Sequence, residues 1–212
     1  MKRVIAFFAS LLFILTSISS CGAKEPNIAE TKDELKGLIE SSYEINEIFF
    51  GEGLPTYERG GEYDKEYRLY DENDTEFAQY EYVRQDSEYY FTEQIKWKAE
   101  AVYTKDYLEG VYTMAFDGYA DENTGAVTTA RYLDANSWLM KYAFGEKDPF
   151  DRLDGKKRRY DFDTMVAVKP YSSDYLNISI DSYLDGDEDN VLNITLHFKK
   201  TDDGWRLDSP TY

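Results

Sequence analysis

Three segments near the C-terminal end of the chain carry a two-residue alternation, and this pattern limits what the chain can fold into more than any other feature. Phe162, Val166 and Val168 alternate with Asp161, Asp163 and Met165. Leu176, Ile178 and Ile180 alternate with Asn177, Ser179 and Asp181, and Leu192, Ile194, Leu196 and Phe198 with Asn193, Thr195 and His197. Successive side chains of a strand point to opposite faces, so each segment is predicted to set one apolar face on a core and one largely polar face outward. A last strand, Trp205 to Asp208, follows the turn Asp202-Asp203-Gly204.

Upstream the period is helical. Thr31-Lys32-Asp33-Glu34 has the form of a capping box, and Leu35, Leu38, Ile39, Ile45 and Phe49 recur near helical spacing. A helix over 31–50 is predicted, stopped by Gly51, Gly53 and Pro55. Thr92 can cap a second helix in which Ile95, Ala99 and Val102 share a face. Thr104 can cap a third carrying Tyr107, Leu108, Val111, Tyr112, Ala115 and Phe116, with Gly118 as its end. Val127 to Leu133 and Trp138 to Phe144 read as a hairpin around Asp134-Ala135-Asn136-Ser137, although Ala135, Trp138, Leu139, Tyr142 and Ala143 also fit a short amphipathic helix. Residues 52–91 are a Tyr- and acid-rich excursion, with one plausible strand at Gln79 to Arg84. Helices followed by antiparallel strands mean an α+β fold with the helices on one side of a sheet.

The first twenty residues have a different character. Lys2 and Arg3 precede an almost wholly apolar run, Val4 to Ile18, which is short of the roughly 20 residues a spanning helix needs. Ile18-Ser19-Ser20-Cys21 follows and resembles the lipobox of bacterial lipoproteins, in which the cysteine is acylated and becomes the mature N-terminus. The resemblance implies a signal peptide over 1–20, lipidation of Cys21 by diacyl and palmitate-type chains, and a mature protein held at the cell membrane on its extracytoplasmic side. Two acyl signals give the stable anchoring that one chain does not. Residues 21–29 are then a short tether and 30–212 a single domain, an ordinary size for one core. Removing residues 1–20 takes two bases and no acid, so the formal charge goes from −18 to −20. Charge therefore does not draw the domain to an anionic membrane, and it excludes an electrostatic nucleic-acid binder.

The order of elements, with a leading helix, the pair Ile95…Ala99…Val102-Tyr103-Thr104…Tyr107-Leu108…Tyr112…Phe116 and a sheet ending in Gly204-Trp205-Arg206-Leu207, resembles the nuclear-transport-factor-like (ketosteroid-isomerase-like, cystatin-like) α+β cone. The chain is also similar to uncharacterised lipoproteins of Gram-positive anaerobes that carry such a domain. The cone hosts isomerases, dehydratases, ligand binders and docking domains, so the resemblance does not choose among them.

The residue inventory narrows the choice. One Cys excludes an internal disulfide framework and one His excludes the common multi-histidine metal sites. An isomerase in a cone needs a carboxylate or His in an apolar cavity. The alternation places Asp163, Asp181 and His197 on the opposite face, leaving Asp106 and Asp134 as poor candidates, and no catalytic residue, cofactor or metal ligand is assigned. Asp185-Gly186-Asp187-Glu188-Asp189-Asn190 opens like a calcium loop but has Asn190 where that loop needs Gly and Leu196 where it needs Glu; it reads as a charged turn, with a weak Ca²⁺ site as the other reading. Lys156-Lys157-Arg158-Arg159 reads as a solvated loop, or as a contact for anionic headgroups or wall polymers. Tyr57, Tyr63, Tyr67, Tyr70, Tyr80, Tyr82, Tyr89 and Tyr90 either cover the core or stack a sugar or peptide. Asn73, Asn177 and Asn193 match the glycosylation pattern by chance. The expected role is a non-enzymatic domain that binds a partner protein, glycan or small ligand, with an isomerase-type or dehydratase-type enzyme as the alternative.

Overall fold

The computed structural model describes residues 28–58, 60–62, 79–120, 127–135, 137–143, 150–153 and 155–212. Cys21, with the signal segment, lies outside them, as do Tyr63, Tyr67, Tyr70 and Asn73. The fold is α+β. Helix α1 (Ile28–Phe50) is followed by β1 (Tyr80–Tyr82), α2 (Thr92–Glu100) and α3 (Lys105–Tyr112), which runs on as a π-helical turn, Thr113–Asp117. Then come β2 (Tyr119–Ala120), β3 (Val127–Thr128), β4 (Tyr132–Ala135), β5 (Trp138–Tyr142), β6 (Arg158–Val168), β7 (Tyr175–Leu184), β8 (Asp187–Thr201) and β9 (Gly204–Leu207). All pairings within the sheets are antiparallel: a four-stranded meander β6-β7-β8-β9, a three-stranded sheet β1-β5-β4 and the ribbon β2-β3. No closed barrel forms among the described residues. Among them, too, no helix is long and apolar enough to cross a membrane.

One core joins the helices to the large sheet. Leu35, Ile39, Ile95 and Leu108 from the helices pack with Ile178, Leu196, Phe198 and Leu207 from the strands. Each such side chain removed from water contributes about 1.5–3 kcal/mol. The sheet edge at β9 is closed by the loop before α3: Thr104 N–H donates to Leu207 O (2.8 Å) and Leu207 N–H to Val102 O (2.9 Å). That contact covers an edge that would otherwise template another strand.

Four local expectations need correction. Thr31 lies inside α1, which begins at Ile28, and its hydroxyl donates back to Ile28 O (3.4 Å). Glu34 accepts from Trp205 N–H (3.0 Å) instead of closing a capping box. Thr92 is the first helical residue of α2, not its cap; the cap position is Phe91, whose N–H donates to Gln94 Oε1 (3.0 Å). In β6 the faces invert midway: Met165 is buried while Val166 is 52% exposed. The register of β6 on β7 shifts between Asp161 and Val166, where five residue steps of β6 oppose two of β7, and an odd number of extra residues moves the later side chains to the other face. In β8 the apolar face outruns the core it is expected to cover, leaving Leu192 half exposed.

The helix end signals at Gly51 and Gly118 and the Thr104 cap (Tyr107 N–H to Oγ1, 3.2 Å) hold, whereas the expected hairpin forms with other bounds: Asp134 and Ala135 belong to β4 and not to the turn, and Val127–Thr128 pair with β2 instead of β5. The hairpin register pairs Ala135 with Trp138. Ser137 sits at φ 69°, where primed hairpin turns place their central residues.

Candidate functional site

Between α1 and the large sheet the described side chains pack against one another. Ser42 and Asn46 lie one helical turn apart on the buried side of α1, and the segment after β9 runs back against them. Thr211 Oγ1 is 2.6 Å from Ser42 Oγ, 2.8 Å from Asn46 Nδ2 and 2.7 Å from Tyr103 Oη. Tyr103 Oη is shared with Asn46 Oδ1 at 2.9 Å, Ser42 donates to Ile39 O (2.6 Å) and Tyr160 donates to Thr211 O (2.9 Å). All of these polar side chains are buried and hydrogen-bonded, as burial requires. Burial pushes the Tyr103 phenol up to about 12 against the opposing pull of its hydrogen-bond partners Thr211, Ser42 and Asn46. A crevice of about 20 Å³ lies beside this network, between Asn46, Leu153 and Tyr212.

At the C-terminal end of α1 a second buried polar centre closes the other side of the core. Arg131 is fully buried, and its guanidinium donates to Phe49 O (2.8 Å), in the last turn of α1, and to Gly51 O (2.5 Å), just past the end of the helix. A cation there also complements the negative end of the helix dipole. The Tyr132 hydroxyl donates to Ile48 O (3.0 Å) and accepts from Leu54 N–H (2.9 Å). Gly53, at φ 78°, lets the chain pass: a Cβ there would lie 2.5 Å from Tyr132 Oη and 2.9 Å from an Arg131 guanidinium nitrogen. The sequence pattern does not single out Arg131, Tyr132 or Thr211. Arg131 sits within a run that reads as an alternating strand, and Thr211 comes after the last strand with no periodic signal.

Each acid considered from the sequence has another partner. Asp134 accepts from Thr92 N–H (2.9 Å) and Thr92 Oγ1 (2.6 Å), capping α2 from a different strand. Asp106 is exposed and faces Lys199 Nζ at 3.3 Å. Asp163 is 3.7 Å from Lys32 Nζ, and Asp181 accepts from Asn193 (2.7 Å). His197 lies on the outer face of β8 opposite Asn177, as the alternation predicts. Asn177 Nδ2 donates to Pro170 O (3.0 Å), which fixes its amide, so Oδ1 accepts from His197 Nδ1 at 2.5 Å. That hydrogen bond sets the tautomer of the imidazole.

The acidic stretch after β7 forms the hairpin turn at Asp185-Gly186 and the start of β8, all exposed. Asp185 is held by Arg159 in a two-pronged ion pair (2.8 and 2.9 Å), and that hydrogen bond lowers its carboxyl below the usual range. The basic cluster is largely paired: Lys157 lies 3.5 Å from Glu47, and Arg158 donates to Ser182 Oγ (2.9 Å). Among the described residues no three His, Cys, Asp or Glu gather as a metal site would need.

Most of the described tyrosines of the excursion are buried: Tyr80, Tyr82 and Tyr89 cover core, with Tyr80 Oη donating to Ala130 O (2.8 Å) and Tyr89 Oη to Glu44 (2.5 Å). Tyr90 differs. It is half exposed and, with Tyr89 and Trp138, walls an open groove of about 270 Å³ over Val83 and Leu139. Arg84 and Gln85 form its polar rim; Tyr90 Oη donates to Gln85 O (3.2 Å) and Tyr90 N–H to Gln94 (2.6 Å), which holds the ring in place. The arrangement offers a fixed aromatic surface with polar edges and no titratable group poised for proton transfer.

No protein-family model matches the sequence, and no curated protein matches it.

Proposed function

We propose that this chain is a lipid-anchored, extracytoplasmic, non-enzymatic binding domain of the cone type, tethered through Cys21, which engages a partner protein in the open groove between Tyr90 and Trp138. The observation that carries this reading is the buried network between α1 and the sheet: an isomerase-type or dehydratase-type enzyme needs an acid or base in an apolar cavity, and the described polar side chains there, Ser42, Asn46, Tyr103 and Thr211, bond to one another. The groove supports docking instead, because rigid aromatic walls around an apolar floor are the usual composition of a protein-binding centre. The lipobox supplies the anchor and the residues up to α1 supply a short tether, so the groove stays near the membrane surface.

Two measurements test the reading. Cys21→Ala is expected to move the protein from the membrane fraction to the soluble one; unchanged retention removes the anchor. A photo-crosslinking residue at Gln85, on the rim, is expected to give a discrete adduct in intact cells that disappears when Tyr90 and Trp138 are both changed to Ala. An adduct indifferent to those two rings removes the groove.

A further inference from the structure

A second surface carries a ligand class of its own. Trp97 lies on α2 between Ile95 and Ala99, both fully buried, and a helix turns about 100° per residue, so Trp97 faces away from the core. It is 64% exposed, the most exposed large hydrophobic side chain among the described residues. It stands at one wall of an open groove of about 580 Å³ that runs between α2, the start of α3 and the β8–β9 turn.

The chemistry of that groove is unlike the rest of this acidic chain. Its lining holds four cations and four anions, so it is neutral as a whole. Most of these charges are held by one another or by backbone: Lys105 lies 3.1 Å from Glu100, and Lys199 is 3.3 Å from Asp106 and 2.9 Å from Asp208. Arg206 donates to Glu100 O (3.0 Å) and Trp205 O (2.8 Å). Lys200, Asp202 and Asp203 remain exposed along the far wall.

From this geometry we infer that the groove binds a neutral polysaccharide segment, one β-linked pyranose stacking on Trp97 and its hydroxyls bonding to the charged wall. A pyranose with equatorial hydroxyls presents an apolar C–H face that fits an indole, whose face is electron-rich. Each hydroxyl both donates and accepts, which suits a wall of mixed donors and acceptors, and a neutral chain leaves the existing ion pairs in place. A protein partner fits less well, because the centre of a protein interface is depleted of charged residues while here they surround the exposed indole, the other lining ring, Tyr103, being buried. The inference is independent of the Tyr90–Trp138 groove.

The test uses the full chain in detergent micelles with cellohexaose and chitohexaose as probes. Acrylamide quenching of tryptophan fluorescence reports mainly Trp97, since Trp138 is partly buried and Trp205 buried. At least one hexamer is expected to protect against quenching and to bind in calorimetry. Trp97→Ala should weaken binding about tenfold or more, as loss of an aromatic anchor does, with an unchanged circular dichroism spectrum. Trp97→Tyr should restore part of it, and Tyr90→Ala should leave it unchanged. The inference is overturned if neither hexamer binds, if Trp97→Ala binds as tightly as the parent, or if affinity follows Tyr90.

Discussion

The hydroxyls of Tyr103 and Thr211 sit 2.7 Å apart, joining the loop before α3 to the segment that follows the last strand. The same Thr211 oxygen also meets Ser42 and Asn46 of α1, so one small side chain satisfies three buried polar partners. Thr211→Val keeps the shape and removes the oxygen. The expected loss is about 2 kcal/mol or more, because buried groups left without a partner cost about 1–3 kcal/mol each. Urea denaturation followed by circular dichroism measures it, and a midpoint equal to that of the parent would show that the network adds nothing.

Arg131→Met should destabilise the domain by about 3 kcal/mol, since it strands the Phe49 and Gly51 carbonyls in a buried setting. Gly53→Ala should act on the same joint, by about 2 kcal/mol, from its left-handed backbone and the contact with Tyr132 Oη. Because the two sites share partners, their effects should not add in the double variant. Thermal melts of the three variants check this.

Asp134 ties the β4–β5 hairpin to the N-terminus of α2. Asp134→Ala is expected to cost about 1 kcal/mol, the usual value of a lost helix cap, and Asp134→Asn less. Neither change should touch the Trp97 surface. Hydrogen exchange at the first amides of α2 reports the fraying directly.

Alkaline pH should unfold the domain. Burial raises the phenols of Tyr43, Tyr80 and Tyr103 to about 12 from an ordinary 10, and burial also raises those of Tyr89, Tyr107, Tyr112 and Tyr160. A group whose folded pKa lies above its unfolded value favours the folded state below the unfolded pKa and loses that contribution as pH rises toward the folded one. The stability should therefore be full below pH 10 and fall between 10 and 12. Absorbance in the phenolate band should show a cooperative step, from the phenols of Tyr43, Tyr80 and Tyr103, that coincides with loss of ellipticity; ionisation of these phenols with the ellipticity unchanged would contradict it.

The elements that can be read from the sequence are those where local chemistry and tertiary packing agree. β7 repeats Leu176, Ile178 and Ile180 without interruption and all three are buried, and Thr104 caps α3 where its spacing says. Thr92 misleads by one residue because its hydroxyl serves Asp134 across the fold, and only the folded chain brings that partner near. The face inversion at Met165 and Val166 depends on a register shift against β7, where Asp161 accepts from Asp163 N–H (3.0 Å) and from the Thr164 hydroxyl (2.8 Å), a local turn hidden in the sequence by the alternation of Asp161 and Asp163 with Phe162. Arg131 is illegible for a similar reason: a charged residue reads as outward until a helix end with free carbonyls is set against it. Among the described tyrosines of the excursion, Tyr80, Tyr82 and Tyr89 follow the plainer reading and cover core, while Tyr90 beside Trp138 is exposed.

Ser42 and Thr211 are 169 residues apart in sequence yet bonded in space. Contacts of that span are entropically late, so the domain should fold slowly for its size, with α1 waiting on strands made long after it. Cleaving the chain anywhere between them leaves two halves that each expose part of the same core. The contact that finishes the structure thus also sets its timetable: until residue 211 arrives on α1, the chain stays open and available to whatever machinery moves or guards it.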